Sequence, residues 1–140
     1  MIVLDTNVIA ELMRATPAPA VFEWIAAQDR AALYTTTINK AEILFGVANL
    51  PEGRRRHDLS ETAEKLFSED FAGRVLPFTS EAAEEYATLM VARRRIGRPL
   101  EGNDALIAAT ARSVGAGIAT RNTSDFTDCG IALHDPWQTH

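Results

Sequence analysis

Short apolar runs alternate with helical rhythms along this chain, and that alternation constrains the fold more than any other feature. Ile2-Val3-Leu4 stops abruptly at Asp5, as a buried strand does. Val8, Ile9, Leu12 and Met13 then recur at helical spacing. Pro17 and Pro19 end that helix and open a second, with Val21, Phe22 and Ile25 on its inner side. Leu33-Tyr34-Thr35-Thr36 is β-prone and precedes a helix from Ile38 to Ala48. Pro51-Glu52-Gly53 is a turn, and Leu59, Ala63, Leu66 and Phe67 mark the next helix.

The second half repeats the pattern. Val75 to Phe78 reads as a third strand, and Thr79 or Ser80 caps a helix that ends near Gly97-Arg98-Pro99. Gly102-Asn103 starts an alanine-rich helix running to Val114 and ended by Gly115 and Gly117. Ile118-Ala119-Thr120 is a fourth strand and Ile131-Ala132-Leu133 a short fifth. Strands alternating with helices predict an α/β fold: one domain over residues 1–140, with a mainly parallel sheet of four to five strands covered on both faces. At 140 residues and 46% hydrophobic content the chain builds a core without staples.

The remaining composition narrows the setting. One cysteine, Cys129, makes no internal bridge, no run approaches the roughly 18 apolar residues of a membrane span, and the N-terminus lacks the basic start of a signal peptide. The cytoplasm is the expected location, with no membrane partner. The net charge of −5 speaks against nucleic acid at first sight, but carboxylates bound to cations would not count in full, so it excludes little. Arginines cluster at Arg54-Arg55-Arg56 and at Arg93-Arg94-Arg95 with Arg98; they either line an RNA groove or are solvated helix ends.

Four acids fall where such a fold places ligands. Binding sites of open α/β sheets form at the carboxyl ends of strands. Asp5 follows the first strand; Asn122 and Asp125 follow the fourth. Glu42, with Ile38 and Phe45 at i−4 and i+3, borders the expected buried stripe of its helix, where a carboxylate needs a partner or a cation. Asp104 opens a helix that is apolar nearly all round, so its first turn faces the interior or a cleft. Each acid alone also has an ordinary structural reading: an Asx turn for Asp5, a dipole partner for Asp104, a half-exposed helix glutamate for Glu42, a loop or cap for Asp125. Jointly they point to one shared site. Carboxylates without cysteine or histidine select hard cations, and such a centre suits phosphodiester hydrolysis with one or two metals.

Met1-Ile2-Val3-Leu4-Asp5-Thr6-Asn7, Thr36-Thr37-Ile38-Asn39-Lys40-Ala41-Glu42-Ile43-Leu44-Phe45-Gly46, Asn103-Asp104-Ala105-Leu106-Ile107-Ala108-Ala109 and Ala119-Thr120-Arg121-Asn122-Thr123-Ser124-Asp125-Phe126 resemble PIN-domain proteins, specifically ribonuclease toxins of the VapC/FitB type. The resemblance runs nearly to Pro136-Trp137. It implies a three-layer α/β/α sandwich acting as a Mg²⁺- or Mn²⁺-dependent ribonuclease, the toxin of a toxin–antitoxin pair. It further implies a homodimer, RNA as substrate, and a cognate antitoxin that inserts a segment near the acidic pocket and alone contacts operator DNA. Asp5 and Asp104 become the principal metal ligands, Glu42 the third acid, and Thr6 a helper that orients Asp5. Asp125 takes the fourth acidic role, with Asn122 as its alternative.

Other readings are weaker. Phosphate-binding glycine loops and a serine-hydrolase elbow are missing from the sequence. Asp5-Thr6-Asn7 also resembles phosphatases with an aspartate nucleophile, but neither Lys40 nor Lys65 follows a suitable strand. His57, His134 and His140 read as surface residues and Cys129 as structural. Met13, Phe22 and Trp24 serve either the core or a dimer contact. The alternative function is a catalytically impaired PIN-fold module acting through a protein partner, because Asn122 brings no charge.

Overall fold

The computed structural model describes residues 1–138 and places five strands in one parallel sheet, in the order β3-β2-β1-β4-β5. In chain order these are β1 (Ile2–Leu4), β2 (Leu33–Thr36), β3 (Val75–Leu76), β4 (Gly117–Ala119) and β5 (Leu133–His134). The helices are α1 (Thr6–Leu12), α2 (Pro19–Ala26), α3 (Thr37–Ala48), α4 (Arg54–Lys65), α5 (Ser80–Arg95) and α6 (Gly102–Ser113). The chain's first strand is the sheet's centre: Val3 lies opposite both Tyr34 and Ile118, and Leu4 opposite Ala119.

Alternation along the strands divides the core in two. Val3 and Ile118 face one cluster, filled by Leu89 of α5 and by Ala105, Ile107, Ala108 and Ala109 of α6. Leu4, Leu33 and Ala119 face the other, filled from α1, α2, α3 and α4 by Val8, Ile9, Val21, Ile43 and Ala63. The result is the expected α/β/α sandwich. Alanine on four buried positions of α6 lets that helix lie close to the sheet and to α5, an approach tied at the surface by Arg112 and Glu85 at 2.8 Å.

Boundaries moved where local chemistry decided them. β3 stops at Leu76, because Pro77 has no N–H for the ladder. β5 pairs at Leu133–His134, one residue beyond the expected run, with Ile118 opposite Leu133. A π-turn at Leu66–Asp70 ends the α4 segment and turns Leu66 and Phe67 into the core. Gly115 sits at φ 69° just past α6, a left-handed stop. Gly117 starts β4 so close to its neighbour that a β-carbon there would lie 3.0 Å from the Ala132 carbonyl.

Several side chains correct the sequence reading. Phe45 is 70% exposed, so the buried stripe of α3 is Asn39, Ile43 and Val47 rather than the Ile38/Phe45 line. Met13 and Trp24 pack partly buried against the core, whereas Phe22 is exposed. His134 is half-buried, its ring 5.9 Å from Trp24, and not a surface residue; His57 is exposed; His140 lies outside the described residues. No described helix is long and apolar enough to cross a membrane.

Candidate active site

Asp5 leaves β1 as the cap of α1, with extended backbone at φ −71°, ψ 163°. Its backbone N–H donates to the Ala119 carbonyl, which fixes it at the carboxyl edge of the central strands. The carboxylate is buried and ringed by donors. Oδ1 accepts from the Thr6 N–H at 2.8 Å and from Asn39 Nδ2 at 3.1 Å. Oδ2 accepts from the Thr120 hydroxyl at 2.8 Å. Burial pushes the carboxyl above its ordinary value; the Thr120, Thr6 and Asn39 hydrogen bonds pull the other way, and the charge of Asp125 pushes up again.

The donors are themselves held. Thr36, at the end of β2, caps α3 by accepting from the Asn39 N–H, and its hydroxyl donates to Asn39 Oδ1 at 2.6 Å. That fixes the amide of Asn39, whose Nδ2 serves both Asp5 and the Thr6 oxygen at 3.0 Å. The Thr6 hydroxyl then donates to Glu42 Oε1 at 2.8 Å. Thr6 thus reaches Asp5 through its backbone N–H, while its hydroxyl holds Glu42. Thr120 also accepts from Asn7 Nδ2 and from the Asn122 N–H, at 3.2 and 3.1 Å.

Asp104 sits half-buried in the first turn of α6, next to the exposed Gly102 and Asn103. Its pKa is pushed up from 3.8 to about 6, by burial first and then by repulsion from Asp5, Asp125, Glu42 and Glu101. Asp104 therefore feels the charge of the other three expected acids, and of Glu101, which sequence reasoning did not single out. Asp125 is exposed in the 3₁₀ turn Thr123–Phe126, and its charge reaches both Asp5 and Asp104. Asn122 is exposed, and its carbonyl accepts from the Asp125 N–H.

Asn39, Thr36 and Thr120 were quoted in the sequence only as parts of segments. A signal existed for Asn39: it shares a helix face with Ile43 and Val47, and a buried amide needs partners. The arginines divide. Arg54, Arg55, Arg94 and Arg95 are exposed, but Arg93 is buried and turned inward, and Arg98 pairs with Asp128 at 3.1 Å. Arg93 is thus neither a groove residue nor a solvated helix end. Arg121 is exposed beside Thr120, its guanidinium 4.9 Å above the Trp137 ring.

Among the described residues, the His/Asp/Glu group whose ligand atoms all lie within 4.8 Å of one another is His57, Asp58 and Glu61, fully exposed along α4. It is a solvated helix face whose Asp58 lines the same groove as Thr6 and Glu42. From the Thr6 and Glu42 end of that centre a groove of about 1160 Å³ runs between α1, α3 and α4, over Met13, Ile43 and Val47 and past Arg54 and Arg55.

The PIN domain family matches residues 2–130. The chain is 44% identical over 138 residues to the VapC ribonuclease Y4jK of Sinorhizobium fredii, covering 99% of each protein. It is 36% identical over 137 residues to the toxin FitB of Neisseria gonorrhoeae, covering 98% of this chain and 99% of that one. Among solved structures it resembles that of FitAB bound to an IR36 DNA fragment, with a TM-score of 0.93 at 36% identity, over 100% of this chain and 98% of the other.

Proposed function

This chain belongs to the PIN-domain family, with full-length relatives among toxins of the VapC/FitB type, and from that premise we propose that it is the single-domain toxin of a toxin–antitoxin pair, a ribonuclease that hydrolyses RNA phosphodiester bonds with Mg²⁺ or Mn²⁺. The observation that carries this reading is the mutual repulsion of Asp104 with Asp5, Asp125 and Glu42 at the carboxyl edge of a parallel sheet. Oxygen-only donors that crowd negative charge fit a hard divalent cation. Asp5 and Asp104 hold it, Glu42 is the third acid, and Asp125, with Asn122 as its alternative, completes the set. Mg²⁺ keeps several waters and takes one or two carboxylates directly, so the remaining acids would act through water. When bound, the ion lowers the pKa of an attacking water and offsets charge on the scissile phosphate.

The chain's own residues do the positioning. Thr120, Asn39 and the Thr6 N–H fix both oxygens of Asp5, and the Thr6 hydroxyl fixes Glu42, so neither carboxylate reorients when substrate arrives. Arg121, held over the Trp137 ring, supplies positive charge for an RNA phosphate at the rim of an otherwise acidic centre. The groove from Glu42 along α1, α3 and α4 suits an antitoxin segment with an apolar face, and operator DNA is reached through that antitoxin. Exposed Phe22, Leu44 and Phe45 supply apolar surface for a homodimer. A buried free cysteine and no membrane-length helix among the described residues fit the cytoplasm.

Titration calorimetry with Mn²⁺ tests the reading. Heat in the wild type that disappears in Asp5→Asn, together with chelator-sensitive cleavage of RNA, supports the enzyme. No heat and no cleavage would leave a PIN-fold module acting through its protein partner.

A further inference from the structure

Asp104, in the first turn of α6, and Asp125, in the Thr123–Phe126 turn, stand on separate segments, and one pair of arginines ties the loop before α6 to the Asp125 turn. Arg93, in the last turn of α5, is 4% exposed. Its Nε donates to the Arg98 carbonyl at 2.6 Å, in the loop that leads into α6 and Asp104. Its Nη1 donates to the Thr127 carbonyl at 2.5 Å and reaches the Asp125 carbonyl and the Cys129 sulfur at 3.4 Å each. These partners are neutral, so the guanidinium keeps its charge in the interior by saturating carbonyl oxygens on both loops.

Arg98 closes the same junction from outside. Its N–H donates back to the Arg93 carbonyl, and its guanidinium donates to the Thr127 hydroxyl at 2.9 Å, the Asp128 carboxylate at 3.1 Å and the Ser124 carbonyl at 3.4 Å. Asp128 sits at φ 60°, a left-handed conformation uncommon for side-chain-bearing residues though less so for aspartate. Phe126, 1% exposed, anchors the turn beneath.

We propose that Arg93 and Arg98 form a clasp that sets where Asp125 stands relative to Asp104, making both arginines positioning residues for the acid centre. This rests on the metal-binding reading above. A clasp of this kind explains how an exposed turn presents a carboxylate at a fixed place.

Arg98→Gln is the informative variant, because half of that side chain is already in solvent and the core is untouched. In the metal-free protein, hydrogen exchange across residues 122–129 should quicken at least tenfold while α3 keeps its protection. Mn²⁺ affinity by calorimetry should fall by up to about tenfold, the low end for residues that orient ligands. In an Asp125→Asn background the same substitution should cost nothing further. Arg93→Lys, which keeps the charge but not the fork, should behave like Arg98→Gln. Unchanged exchange or affinity in Arg98→Gln overturns the clasp, as does an equal loss in the Asp125→Asn background. A wild type that takes up no Mn²⁺ overturns the metal reading and the clasp with it, a different signature from wild-type heat that Arg98→Gln leaves intact.

Discussion

Asp5 and Asp125 carry the same carboxylate, but the protein treats them in opposite ways. Asp5 is buried, fixed by three donors from three separate elements, and raised above its ordinary pKa despite them. Asp125 is exposed on a turn whose backbone, rather than its carboxylate, is what Arg93 holds. One acid is placed by bonds to its own oxygens, the other by the loop that bears it. The difference teaches that a cation would depend on Asp5 through bonds to its own oxygens and on Asp125 through the hold on its turn's backbone.

The sharpest way to break this comparison is Asp5→Asn. Removing the charge where every donor is already aimed should weaken Mn²⁺ binding by more than about 100-fold, beyond what losing an outer partner costs. Calorimetry decides it, and near-normal affinity would mean that Asp5 is structural.

Next in size is Thr120→Val. It withdraws a donor from Asp5 and an acceptor from Asn7 and the Asn122 N–H. Affinity should drop by roughly 10- to 100-fold and stability by about 1–3 kcal/mol. A urea melt beside the calorimetry separates the two effects.

Asp104 predicts a pH dependence with a definite sign. Its folded pKa of about 6 lies above the ordinary 3.8, so the folded state keeps a proton that the unfolded chain has released. Stability of the metal-free protein should therefore fall as pH rises from about 4 to about 6 and change little from this group above that; Asp5, also raised, acts in the same direction. Protons and Mn²⁺ compete for the same oxygens, so apparent affinity should climb through that window and then level. Asp104→Asn should flatten the stability slope, as thermal melts across pH would report.

The smallest effect belongs to Asp125→Asn, with affinity lower by about tenfold and melting temperature within error of the wild type. A loss as large as that of Asp5→Asn would erase the distinction drawn between them.

The sheet and its helices were legible because they depend on local pattern: Ile2-Val3-Leu4 alternates faces, and the alanines of α6 leave no polar side. Asp5 at a strand end and Asp104 at a helix start could be read locally, whereas Glu42 was read from a stripe that Phe45 does not join. What surrounds them could not be read so. Asn39 reaches Asp5 across 34 residues and Arg93 reaches Thr127 across 34, and no local periodicity records such a contact. Phe45 misled for the same reason: apolar character gives a residue's preference for burial, while the neighbours that would cover it are set by topology.

The central place of β1 has a consequence for how the protein is made. Asp5 meets Thr120 only across 115 residues, and its strand is complete only when β4 lies alongside it. During translation the early carboxylate emerges long before its fixing hydroxyl, and pairing across such a distance is slow to form. The acid centre is therefore completed only after β4 has been made, however early Asp5 leaves the ribosome.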